Sequence, residues 1–155
     1  MLGIKKELVP YEGWHLEALM GYLRPLEQGV YEKINKDYRA WHKMIMADTP
    51  EPVTILVDGK PVLVGGVSML WEGVGESWII GSQYFRENYI FITKQAIKYM
   101  NYIIRKYKLR RLQAITKAGN PELAKYAQFL NFEYEGELRG YGMDGSNQYM
   151  FSRVA

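Results

Sequence analysis

The chain has 155 residues, 48% of them hydrophobic, with no cysteine, two histidines and a formal charge of +3 from 20 basic against 17 acidic side chains. That length suits one domain, residues 1–155, with a sizeable core. The composition excludes disulfides, thiol nucleophiles and zinc–thiolate sites, and the basic excess is too small to indicate nucleic acid. No apolar run approaches a membrane span, the start Met1-Leu2-Gly3-Ile4-Lys5-Lys6 carries no signal-like apolar segment, and a cytoplasmic protein is expected. His15 and His42, expected at helix surfaces, are too few for a histidine-built metal site.

In chain order, Ile4 to Val9 reads as a first strand. Leu16, Leu19, Met20 and Leu23 then fall on one face of a helix from about His15 to Leu23. Pro25 opens a second helix, with Leu26, Val30, Ile34, Tyr38 and Trp41 along one side. The break Asp48-Thr49-Pro50-Glu51-Pro52 ends the helical half. Val53–Val57, the turn Asp58-Gly59, Val62–Leu70, the turn Gly73–Gly75 and Glu76–Ser82 make three antiparallel strands. A long helix is expected from Glu87 to Tyr107, with Ile90, Ile97, Met100, Ile104 and Tyr107 facing inward and Lys94, Lys98 and Arg105 solvated. Leu109–Thr116 alternates as a strand. Asn120 caps and Pro121 opens a helix that runs to about Leu130, and Asn131 suits the left-handed residue closing it. Phe132–Tyr141, the turn Asp144-Gly145 and Gln148–Val154 complete the chain. The order is β-α-α-β-β-β-α-β-α-β-β, a mixed α+β class: a central mixed sheet of about seven strands with four helices. The strand–helix–strand crossover from Glu76 to Thr116 implies one parallel pair. Phe132, Leu112 and Ile97 are expected to share one core.

This order, with Asn120, Leu130-Asn131-Phe132 and Glu135-Gly136-Glu137-Leu138-Arg139-Gly140-Tyr141, resembles the Gcn5-related N-acetyltransferase (GNAT) family. In that family an asparagine opens the last helix, Leu-Gly-Phe closes it, and a strand with Glu-Gly, Leu-Arg and an aromatic follows. Here Asn131 stands for the glycine. The resemblance implies acetyl transfer from acetyl-CoA to a primary amine on a small molecule or a protein. It places the thioester against the backbone of Ile79, Ile80 and Gly81, and the pyrophosphate beside Arg86, Asn88 and Tyr89, with Asn120 also near the cofactor. It suggests Glu76 as base through water and Tyr126 as acid toward the leaving sulfur. Tyr126 lies one residue, about 100° of helix, from the family's position, which falls on Ala127. The family's phosphate loop has Arg or Gln, then Gly-x-Gly or Gly-x-Ala. Here Arg86 is followed by Tyr89 and Phe91, which narrow the loop, and by the acidic Glu87. Gly65-Gly66, Trp78 and the basic long helix also resemble small bacteriophage proteins of GNAT-like fold. That likeness implies a non-catalytic virion or assembly protein with a protein partner.

Overall fold

The computed structural model describes residues 3–34 and 38–155. Met1 and Leu2 of the N-terminal stretch, residues 35–37 within the expected second helix and the side chain of Ile34 lie outside the described residues. The elements are β1 (Lys6–Pro10), α1 (Gly13–Leu19), α2 (Pro25–Ile34), α3 (Tyr38–Ala47), β2 (Val53–Val57), β3 (Lys60–Trp71), β4 (Val74–Gly81), α4 (Tyr89–Lys106), β5 (Arg111–Lys117), α5 (Pro121–Phe129), β6 (Glu133–Leu138) and β7 (Gln148–Val154). One turn of 3-10 helix, Arg86–Asn88, precedes α4. Among the described residues no helix is long and apolar enough to cross a membrane, and no three metal-ligating side chains gather.

The seven strands form one sheet in the order β1-β2-β3-β4-β5-β7-β6. Every neighbouring pair is antiparallel except β4 and β5, the crossover pair. Alternation along β3 and β4 sorts side chains between two layers. Val64 and Ile80 pack against Leu16, Leu19, Leu23 and Tyr31 of the α1–α2 side. On the other face Val67 joins Met100, Ile103, Leu112, Ala127, Phe132 and Phe151 beneath α4 and α5.

Four expectations need correction. The described residues hold five α-helices, not four, because α2 and α3 are separate elements lying against each other. The hydroxyl of Tyr31 meets Nε2 of His42. Eleven residues of straight helix would part those Cα atoms by about 16 Å, beyond the reach of both side chains. Second, α1 ends at Leu19: the chain turns at Gly21, and Leu23 bridges to Ser82 instead of extending the helix. Third, α4 buries Ile92, Thr93, Met100 and Ile103, whereas Ile90 is 69% exposed and Ile97 is half-buried outside the cluster that holds Phe132 and Leu112. The inward face therefore runs 92-96-100-103, two residues out of phase with the expected start. Fourth, both histidines are buried. His15 is fully enclosed, its Nδ1 between the Glu12 amide (3.0 Å) and the Thr54 hydroxyl (2.7 Å), and burial lowers the pKa of each ring.

Local rules hold at the C-terminal end. Asn120 Oδ1 accepts from the amides of Glu122 (3.1 Å) and Leu123 (3.3 Å), and Asn131 takes φ 69°. Asn120→Ala should therefore lower unfolding free energy by about 1 kcal/mol in a denaturant titration. Gly66 permits close approach, since a Cβ there would stand 2.5 Å from Thr49 Cγ2.

Glu51 ties the loop before β2 to α4. Its carboxylate accepts from the hydroxyls of Tyr102 and Tyr107 (both 2.8 Å) and pairs with Lys106 (2.9 Å); its carbonyl accepts from Tyr99 (3.0 Å). The bond from Lys106, then those from Tyr107 and Tyr102, hold its pKa at about 2 against an ordinary 4.5. A depressed folded pKa stabilises above the unfolded value and loses that contribution as pH falls through the folded one. The stability gap between wild type and Glu51→Gln should thus be full above pH 5 and shrink toward pH 2 in acid-series denaturation.

Candidate functional site

β4 and β5 share only three paired positions, Val74 with Arg111, Gly75 with Leu112 and Glu76 with Gln113. β4 continues to Gly81 against β3 alone on this stretch, so its other edge opens toward the gap between the two strands. Two hydrogen bonds fix which groups face it. Ser82 N–H donates to Val62 C=O of β3 (3.1 Å), and in the same peptide Gly81 C=O turns the other way to accept from Arg24 N–H (3.2 Å). Strand alternation then points the N–H and C=O of Ile79, and the N–H of Gly81, into the opening. Ile80 shows its backbone to β3 and its side chain to the α1–α2 core. Of the three backbone positions expected at a thioester, Ile79 turns its backbone to the gap, Ile80 pairs with β3, and Gly81 is engaged by Arg24 and Glu27.

The opening is bounded on the helical side by aromatic rings. Tyr126, on α5, hydrogen-bonds Thr93 of α4 through their hydroxyls (3.0 Å). Its ring lies 5.4 Å from that of Tyr89 and 6.0 Å from that of Phe85. Burial raises the phenol's pKa, the Tyr89 phenol adds to this, and the Thr93 bond and Arg24 charge pull it down, so it stays protonated near neutrality. Ala127, the neighbouring position, faces the core beneath α4 and α5. One residue of register thus hands the tyrosine to the gap and the small residue to the core.

Arg24 and Glu27 complete the mouth and were invisible as a site in the sequence. The Arg24 guanidinium lies on Gly81, where a Cβ would meet its Nε at 2.7 Å, and 4.6 Å from the centre of the Phe85 ring. It pairs with the Glu27 carboxylate, Nε to Oε2 at 2.7 Å, with side-chain exposures of 17% and 8%. Burial pushes Glu27 up; Arg24 and the adjacent Gly81 amide hold it down. An Arg-Pro-Leu-Glu run at a helix start reads as a solvated i,i+3 pair, and only the seating of this turn on β4 distinguishes it.

The remaining candidates are dispersed. Glu76 sits at the last paired position, its Oε1 accepting from Gln113 Nε2 (2.9 Å). Its neighbour Gly75 faces Val67 and Leu109 on the α4 side, so Glu76 points to the opposite face from Tyr126. Asn88 is buried and donates its side-chain amide to Tyr84 C=O (2.9 Å). Arg86 is 90% exposed and reaches Glu122 across the α4–α5 gap at 3.7 Å. Tyr89 turns to Tyr126, whereas Phe91 packs toward Ile55, Val62, Leu63 and Ile92. Trp41 packs against Tyr31 at 5.5 Å, and Trp14 is half exposed. A groove of about 280 Å³ lies between α1 and α3, lined by Tyr11, Leu16, Glu17, Arg39 and His42. Another of about 430 Å³ lies between β1 and α4, lined by Leu8, Pro10, Gln95, Tyr99 and Tyr102. Both lie away from the gap.

No protein-family model and no curated protein matches the sequence. Solved structures do. Ard1 from Thermoplasma volcanium superposes with a TM-score of 0.77 at 14% identity, over 97% of this chain and 97% of that one. A ribosomal L7/L12 α-N-protein acetyltransferase, RimL, in complex with coenzyme A gives 0.70 at 15% identity over 96% and 93%. A spermidine N-acetyltransferase, SpeG, as a chimera from Vibrio cholerae and hSSAT, gives 0.73 at 14% identity over 96% and 94%. At these identities the likeness establishes the fold.

Proposed function

We propose that this chain, having the fold of the GNAT acetyltransferases, is an N-acyltransferase that moves an acetyl group from acetyl-CoA to a primary amine. The observation that carries the reading is the opened edge of β4, with the N–H and C=O of Ile79 unpaired to β3 and a protonated Tyr126 across the gap. A thioester laid along that edge has a backbone donor for its carbonyl oxygen at Ile79, where negative charge develops as the amine adds. The amine nitrogen bonds to the carbonyl carbon, the carbon–sulfur bond breaks, and the sulfur takes the Tyr126 proton, which solvent restores. The ammonium proton leaves toward the opposite face, where Glu76, steadied by Gln113, is the base through water. Thr93 orients the phenol. Arg86, Asn88 and Tyr89 at the start of α4, and Asn120 at the start of α5, are the residues toward which the nucleotide end would point. The neighbours that act on a ribosomal protein and on spermidine support both a protein and a small-molecule acceptor.

The test is thiol release from acetyl-CoA in the presence of spermidine or a peptide with a free α-amine. The cysteine-free chain adds no thiol background. Tyr126→Phe should lower kcat by about a hundredfold or more with little change in KM, the usual scale for losing a positioned acid. Wild-type protein that releases no thiol with either acceptor sinks the reading. A second reading, a non-catalytic phage structural or assembly protein that keeps the fold and binds a protein partner, is favoured by the closed start of α4 described below. Lack of any thioester binding by wild type would select it.

A further inference from the structure

We infer that the acyl donor is held by its acyl-pantetheine arm alone: the donor class is an acyl-pantetheine thioester, of which acetyl-CoA is one member, and the nucleotide end contributes nothing. This rests on the transferase reading above and concerns the half of the donor that the structure does not fit.

A diphosphate at the start of α4 needs unpaired amides, space and a neutral or positive surround. Four of the amides around this turn are spent within the chain. Tyr84 N–H donates to Ser82 Oγ (3.1 Å), Phe85 N–H to Ser82 C=O (3.1 Å), Asn88 N–H to Phe85 C=O (3.1 Å) and Tyr89 N–H to Arg86 C=O. The 3-10 turn thus satisfies donors that a glycine-bearing loop would leave for a ligand. The space is taken as well. The Tyr89 ring meets the Tyr126 ring across the α4–α5 gap, and the Asn88 side chain is buried on Tyr84. The cations nearby are also engaged: Arg86 leans on Glu122 beside the acidic Glu87, Arg24 is paired with Glu27, and Lys60 lies on the Tyr84 ring; Lys125 lies one turn beyond Glu122 along α5.

Of these residues only Tyr126 also borders the thioester end of the gap, where it closes nothing that an uncharged arm needs. The pantetheine arm is uncharged and carries two amides. Such an arm pairs with a strand edge as an added strand does, by backbone hydrogen bonds that need no cation and no glycine loop. Ile79 supplies that edge, with Tyr126 and Thr93 beyond it. The bonds made and broken are those of the transfer above, with pantetheine thiol as the leaving group.

The experiment compares acetyl-pantetheine, acetyl-CoA and acetylated holo-acyl carrier protein as donors to one amine, using the full wild-type chain. We expect kcat/KM for acetyl-pantetheine within about threefold of acetyl-CoA, and no calorimetric binding of 3′,5′-ADP at millimolar concentration. A carrier protein that matches free acetyl-pantetheine also supports the inference; one that outperforms it by about tenfold or more shows contacts beyond the arm and overturns it. Acetyl-CoA preferred by about a hundredfold or more, or 3′,5′-ADP competing with it, overturns the inference while leaving the transferase reading intact. Transfer from none of the three donors overturns the transferase reading and this inference with it.

Discussion

Arg24→Met should destabilise the fold by about 3–5 kcal/mol, and adding Glu27→Leu should return most of that loss. The reason is the asymmetry of a buried ion pair. Taking both charges out of water costs nearly what their attraction returns, so exchanging both for apolar side chains is close to neutral. Removing one strands the other. Glu27 lies at 8% side-chain exposure with the guanidinium as its main partner, and the Gly81 amide alone cannot replace it. The pH dependence has a definite sign. Glu27 is already raised by burial, and loss of Arg24 raises it further. A carboxyl whose folded pKa lies above its unfolded value favours the fold below the unfolded pKa, and that benefit is lost as pH rises through the folded one. The single variant should therefore lie nearest to wild type below pH 4.5 and fall away above it. Urea titrations at pH 4 and pH 7 on the three proteins measure this. A single variant as stable as wild type at pH 7 would mean that the pair is open to water.

Phe132→Ala should cost about 3–5 kcal/mol as well, through the cavity it leaves. Phe132 is 4% exposed and packs with Leu112, Ala127, Met100 and Phe151. It also follows the left-handed Asn131, and its amide closes the end of α5 on Ala127 C=O (3.0 Å). Neighbours on four elements, α4, α5, β5 and β7, cannot all move inward at once, so little of the void can collapse. Guanidinium unfolding with an unchanged m-value would register the full loss. A change under about 1 kcal/mol would mean that the C-terminal helix and strands pack elsewhere.

What could be read from the chain alone divides by the range of the interaction. The Asp58-Gly59 hairpin, the Asn120 cap with Pro121, and the positive φ at Asn131 are decided within four residues, and each stands where it was expected. The boundary between α2 and α3 was hidden because Tyr38 and Trp41 continue the helical spacing from Val30, although they pack back against Tyr31. His15 looked like a surface residue because its partner Thr54 lies 39 positions away on β2. At the candidate site, the crossover implied the parallel β4–β5 pair, whereas the place of a thioester on β4 came from the family resemblance. Tyr126 lay one residue from the family's position and still faces the gap, since α5 turns its other side to the core. The Arg24–Glu27 pair could not be read at all. Its two residues gain their meaning from Gly81, more than fifty positions later.

The three-position seam between β4 and β5 has a mechanical consequence. Strands β1 to β4 form one leaf, and β5, β7 and β6 form another. The spine between them is only Val74–Glu76 against Arg111–Gln113. A spine that short resists bending weakly, so the angle between the leaves is set by whatever braces them at the far end. Here that brace is α4, which packs Ile92 against Ile55 and Val62 of the first leaf and Met100 and Ile103 against Leu112 and Phe151 of the second. The molecule is built like a clip whose two leaves are held by one helix laid across them, so a change in the seating of α4 would change how wide the clip stands.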